Sequence, residues 1–221
     1  MRKQFATRLA LAAMTIATTA VVSGSALAQM GQDKSSSGAS GQSATMSQQG
    51  MPDQKQMMDM MAQMGAPGDH HKMLASFVGT WDAKMSSWMM PGQPPMESSG
   101  TSTMTMILGG RYLQEQFTGS FNGQPFHGIG YTGYDNAMKK YVGTWMDDMG
   151  TAIMEMQGDL DASGKVMNYT SEMADPMSGT MQTTREVMTV TDNDHHMFQM
   201  FAAGPDGKDM KIMEINYTRK M

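Results

Sequence analysis

The sequence predicts an all-β fold: one antiparallel meander of about ten strands, closed into a barrel and preceded by short helices. Two observations carry this. From Thr80 onward, strand-like runs follow one another at short spacing: Thr80–Met89, Ser98–Leu108, Arg111–Thr118, Pro125–Tyr134, Lys140–Met146, Thr151–Leu160, Lys165–Met173, Gly179–Thr191, His195–Ala202 and Met210–Arg219. Turn clusters separate them, among them Pro91-Gly92, Gly109-Gly110, Asn122-Gly123, Asp161-Ala162-Ser163-Gly164 and Gly204-Pro205-Asp206-Gly207, the pattern expected of sequential hairpins. A meander of that many strands leaves two edges unless it closes, and closure removes both.

In chain order, Met1–Ala28 reads as a secretory signal peptide. It has a basic start (Arg2, Lys3, Arg8), an apolar stretch from Leu9 to Val22 and the small-residue cleavage motif Ala26-Leu27-Ala28. The apolar stretch is too short for a permanent span. Cleavage removes three positive charges and takes the formal net charge from −5 to −8. An acidic chain offers no electrostatic attraction to nucleic acid or to an anionic membrane. The expected location is periplasmic or secreted, with no integral membrane span after cleavage. There is no cysteine, so disulfides contribute nothing.

Residues 29–50 form a Gly/Ser/Gln-rich linker with almost no bulky apolar side chain. Such a segment cannot bury enough surface to offset chain entropy, so disorder is expected. Residues 51–77 form a Met-rich helical segment. Met57, Met58, Met60, Met61 and Met64 recur at helical spacing, Pro52 suits a first turn and Gly65 a C-cap. A second short helix is expected from Asp69, as N-cap, to about Phe77. Residues 78–221 are the barrel domain.

The central ribbon, Gly109 to Asp147, sets the register. Asn122-Gly123 is a strong two-residue hairpin signal, because a type I′ turn needs φ > 0 at both central positions. With those two at the turn, Phe117 faces Gly128, Glu115 faces Gly130 and Leu113 faces Thr132. A longer loop at Asp135–Met138 brings Tyr141 opposite Tyr134 and Trp145 opposite Gly130. One face of the ribbon then carries Leu113, Phe117, Phe126, Tyr134, Tyr141 and Trp145, with glycines where large neighbours need room. The other carries Gln114, Gln116, Thr118, His127 and Thr144. The apolar face belongs inside. Arg111 and Glu115 are in phase with it, ~13 Å apart at the usual rise, too far for a direct pair. Arg111, Glu115, Tyr134 and Trp145 are therefore the candidate ligand-binding residues of a mostly apolar cavity.

Gly79-Thr80-Trp81 before the first strand is similar to the Gly-x-Trp opening of lipocalin-like (calycin-like) barrels. That resemblance implies that Arg219 or Lys220 of the last strand packs over Trp81. A longer set of motifs resembles the bacterial domain-of-unknown-function family 1579. It comprises His71…Leu74…Val78-Gly79-Thr80-Trp81, Leu108-Gly109-Gly110-Arg111-Tyr112-Leu113, Gly128-x-Gly130-Tyr131-x-Gly133-Tyr134-Asp135 and Val142-x-x-Trp145-x-Asp147. These cover about two-thirds of the chain in the family's order. The resemblance implies a fold and no activity, and the methionine-rich segment before His70 departs from the usual pattern.

Methionine is the compositional outlier: 32 in all, against Leu74, Leu108, Leu113 and Leu160 after the signal segment. Methionine filling core positions in place of leucine is one reading. A Cu(I) site built from thioethers is another, and a reversible oxidant sink a third. No spacing of ligand residues is diagnostic of a metal, and no motif names a cofactor. There is no nucleophile elbow, zinc motif or phosphate loop, and the carboxylates Asp147, Asp148 and Glu155 lie at an exposed hairpin. The expectation is a barrel binding a small apolar or amphipathic molecule. The alternatives are a methionine-rich copper or oxidant buffer and a structural envelope protein.

Overall fold

A computed structural model describes residues 53–175, 178–204 and 207–221. The signal segment, the Gly/Ser/Gln linker, Met51 and Pro52 lie outside the described residues. Two helices come first, α1 (Gln54–Met64) and α2 (Asp69–Ala75). Ten strands follow: β1 (Gly79–Ser87), β2 (Met96–Ile107), β3 (Tyr112–Phe121), β4 (Gln124–Asp135), β5 (Lys140–Asp147), β6 (Met154–Leu160), β7 (Val166–Ala174), β8 (Met181–Val190), β9 (His195–Ala203) and β10 (Asp209–Arg219). Each strand pairs antiparallel with its sequence neighbours, and β10 closes on β1 to complete the barrel.

The central register is the one the Asn122-Gly123 turn dictates. Phe121 pairs with Gln124, Phe117 with Gly128 and Glu115 with Gly130. Asn122 and Gly123 both take the positive φ that such a turn requires, 51° and 75°. Across the next hairpin Tyr134 pairs with Tyr141 and Gly130 with Trp145. The room these glycines leave is used. A Cβ on Gly128 would lie 2.2 Å from Trp145 Cζ2, and one on Gly130 would lie 3.0 Å from its Cε3. Strand β6 is shorter than expected because its pairing with β5 runs only as far as Met154. Thr151 to Ile153 stay outside the sheet.

The barrel is filled by side chains of alternating residues. Trp81, Ala83, Met104, Leu113, Phe117, Tyr141, Met167, Tyr169 and Tyr217 form one buried cluster. Helix α2 plugs the end of the barrel where β1 begins and β10 ends. Its Leu74 is buried in that cluster with Phe77 just beyond it, and its His71 is buried too. Gly68 rather than Asp69 is the N-cap of α2, and its N–H donates to His71 Nδ1 (3.0 Å). Trp81 lies beside the plug. Its Nε1 donates to Phe77 O (2.8 Å), and the Arg219 guanidinium sits 4.0 Å above its ring. Arg219 also donates to Val78 O, Ser76 O and Asn193 O, so one cation ties the last strand to the segment entering the first. No described helix is long and apolar enough to cross a membrane.

Candidate functional site

The four sequence-derived candidates do not converge. Glu115 and Trp145 stand on either side of Gly130 on the inner wall. Tyr134 lies on the same face but at the plugged end. The His70 ring stacks on it at 3.8 Å, and His70 Nδ1 hydrogen-bonds the Tyr141 hydroxyl (2.9 Å). Arg111 is a correction. It lies in the turn before β3 and is exposed; its Nε donates to Gly65 O (2.9 Å) and its Nη1 to Leu108 O (3.1 Å). The alternation that aims Glu115 inward has already ended at Arg111. The long side chain instead meets the Gly65 carbonyl of the α1–α2 connection and the Leu108 carbonyl of its own turn.

Glu115 is held by polar neighbours on the inner wall. Ser102 Oγ donates to its Oε1 at 2.7 Å and Tyr217 OH at 3.4 Å. Burial pushes its carboxyl above the usual carboxylate range, and those two donors only partly offset this. Trp145 Nε1 donates to Asp147 Oδ2 (3.0 Å).

Two further buried groups escaped the sequence reading. Glu186 of β8 is wholly enclosed. Its Oε1 accepts from Ser171 and Thr184, while its Oε2 has no protein partner. Burial raises its pKa as well. His196 of β9 sits in an aromatic box. It stacks on Tyr217 at 4.3 Å and meets Trp81 (4.3 Å) and Phe77 (5.1 Å) edge-on. Neither ring nitrogen has a protein hydrogen-bond partner. Burial, helped by the Arg219 charge, lowers its pKa to about 3, so the imidazole is neutral. A cavity of about 340 Å³ adjoins it, bounded by Trp81, Val190, Asn193 and Arg219. The signal for both residues was their phase with inward neighbours: Glu186 pairs with Tyr169 and Met200, His196 with Tyr217 and Val190.

Between these groups the inner wall is packed in part and accessible in part. Glu115, Phe126, Trp145, Met154, Phe198 and Ile215 all point inward by register, yet each keeps part of its surface accessible. At the end opposite α2, no described helix covers the barrel. A surface depression of about 750 Å³ lies elsewhere, on the outer wall beside Tyr112, Tyr131, Val142, Thr144 and Glu155. Among the described residues, no group of three or more His, Asp or Glu side chains is placed to hold a metal ion.

Comparison with known proteins agrees with this architecture. The structure of Rv2717c from M. tuberculosis superposes with a TM-score of 0.52 at 12% identity, covering 71% of this chain and 100% of that one. At that identity the likeness shows the fold alone. A redesigned β-barrel overlaps less well, with a TM-score of 0.36 at 14% identity, over 67% of this chain and 95% of the other. No curated protein matches in sequence. The family described as "Protein of unknown function (DUF1579)" matches residues 66–219, most of the chain and the whole of the barrel wall, and the protein belongs to that family.

Proposed function

We propose that the barrel binds a small, neutral amphipathic molecule in its interior, entering at the end opposite α2, much as lipocalin-like barrels use theirs. The observation that carries this is the accessible inner wall: Phe126, Trp145, Met154, Phe198 and Ile215 face inward and remain partly uncovered. A structural barrel of this size gains stability by packing such side chains against one another. Leaving part of their surface accessible makes sense where a ligand completes the packing. Glu115 is the polar anchor. Burial favours its neutral acid, which both donates and accepts a hydrogen bond. With Arg111 outside, the inner face of the central ribbon offers no cation for an acid headgroup, so an alcohol or carbonyl fits better than a carboxylate. The signal-like start of the chain suggests that the protein works in the periplasm or is secreted.

The test is melting of the protein with a long-chain alcohol, the matching fatty acid and a sterol. A ligand at about 100 times its dissociation constant adds about 2.7 kcal/mol. The alcohol is expected to raise the melting temperature and shift Trp145 emission, and Glu115→Ala to weaken both effects. The reading fails if no neutral amphiphile moves either signal, or if the fatty acid binds better than the alcohol.

A further inference from the structure

Methionine plays two different parts in this chain. Four barrel methionines are core: Met85, Met104, Met167 and Met200 are buried, while Met138, Met149 and Met181 stand singly on the barrel surface. In α1 none is core. The helix buries no residue, and Met57, Met58, Met60, Met61 and Met64 are each between 48% and 67% exposed. Core filling therefore explains the four buried methionines and leaves the exposed cluster of five on α1 unexplained. An 11-residue helix that packs against nothing is marginal in water, yet this one is held at both ends. Asp53 and Gln56 form a reciprocal capping box, and Lys55 pairs with Asp59 at 2.8 Å. Asn136 Nδ2 donates to Met64 O and Ala66 O, and Arg111 Nε to Gly65 O. The connection after α1 is thus fixed to the barrel rim while its methionine face stays open.

We propose that α1 is a thioether site for a soft monovalent metal ion, Cu(I), with Met57, Met60, Met61 and Met64 as the sulfur donors. These four follow the i, i+3, i+4, i+7 spacing that puts side chains on one helix face, with Lys55, Asp59 and Gln63 turned away from it. Three or four thioethers within reach of one another suit Cu(I) and suit hard divalent ions poorly. Thioethers are neutral and do not titrate, so the site releases no proton on binding and survives acid. The chain has no cysteine, so no thiolate competes for the ion. A single lysine on the helix argues against an anionic membrane as the occupant of this face. The inference is independent of what the barrel interior binds.

The test uses the full chain. Cu(I) is titrated anaerobically against a colorimetric chelator, with Ag(I) as a redox-silent stand-in followed through methionine methyl resonances. One equivalent is expected, with sulfur as the scatterer in X-ray absorption and little loss of affinity between neutral and mildly acid pH. The variant M57L/M60L/M61L/M64L keeps the apolar face and helix propensity. It is expected to lose the ion and keep the melting temperature. Met89→Leu with Met90→Leu, both exposed but off the helix, is expected to change nothing. The proposal is overturned if the quadruple variant binds as the parent does, or if the parent takes no Cu(I) from the chelator. Stripe-dependent self-association or binding to neutral vesicles without Cu(I) binding would equally overturn it, because the face would then serve another surface.

Discussion

His196→Phe should stabilise the protein and flatten its acid response. The neutral imidazole lies between Tyr217, Trp81 and Phe77 with both ring nitrogens lacking a protein partner. A phenyl ring fits the same box and leaves no polar atom stranded, so the gain at neutral pH is about 1–3 kcal/mol. The pH dependence follows from linkage. The folded pKa of about 3 lies below the ordinary value of 6.5, so the unfolded chain takes up a proton that the folded one refuses. The stability associated with the neutral ring is full above 6.5 and declines as pH falls from there towards 3. Between about pH 7.5 and about pH 5 the loss is about 2 kcal/mol, from roughly 1.4 kcal/mol for each pH unit below the ordinary value. Glu115 and Glu186, whose pKa values are raised, work in the opposite sense. Their contribution fades as pH rises through the unfolded value, so the raw curve mixes both. The difference between wild type and His196→Phe isolates the histidine. Urea denaturation of both proteins at the two pH values gives it. Parallel pH responses, or a variant less stable at neutral pH, would refute the reasoning.

Three further outcomes follow from the packing. Trp81 is 2% exposed and lies under Arg219, so Trp81→Ala should cost about 3–5 kcal/mol in denaturant melts; a cost below about 1 kcal/mol would take the indole out of the core. Gly158→Ala would put a Cβ 2.0 Å from the Asn168 carbonyl oxygen, a backbone atom that cannot swing aside. It should cost at least about 3 kcal/mol, and a near-neutral result would mean that β6 and β7 can part. Single cysteines at Gln116 and Phe117 should react with a thiol reagent quickly and slowly respectively, since the first is exposed and the second 3% exposed; the reverse order would place β3 one residue out of register.

Much of this protein was legible without its tertiary structure, and the reason is local. A two-residue turn at Asn122-Gly123 leaves one register for β3 and β4, and period-2 alternation then assigns each ribbon residue to a face. That is how Glu115, Phe117 and Trp145 came to be placed inside, and why the strands could be delimited to within a few residues. Alternation says which way a side chain points but not how far along the barrel it stands. Arg111 shares the phase of Glu115 yet lies beyond the end of β3, where one of its two acceptors is a carbonyl 46 residues earlier in the chain. Tyr134 points inward as its phase requires, and a histidine from α2 covers it. Glu186 and His196 sit on strands whose hairpins carry no such decisive turn, so only the strand register seen in the folded sheet sets Glu186 beside Tyr169 and His196 beside Tyr217. The two roles of methionine divide in the same way. A helical repeat in the sequence shows that α1 has a methionine face, but whether that face meets a core depends on where the barrel lies, and the fold leaves it uncovered.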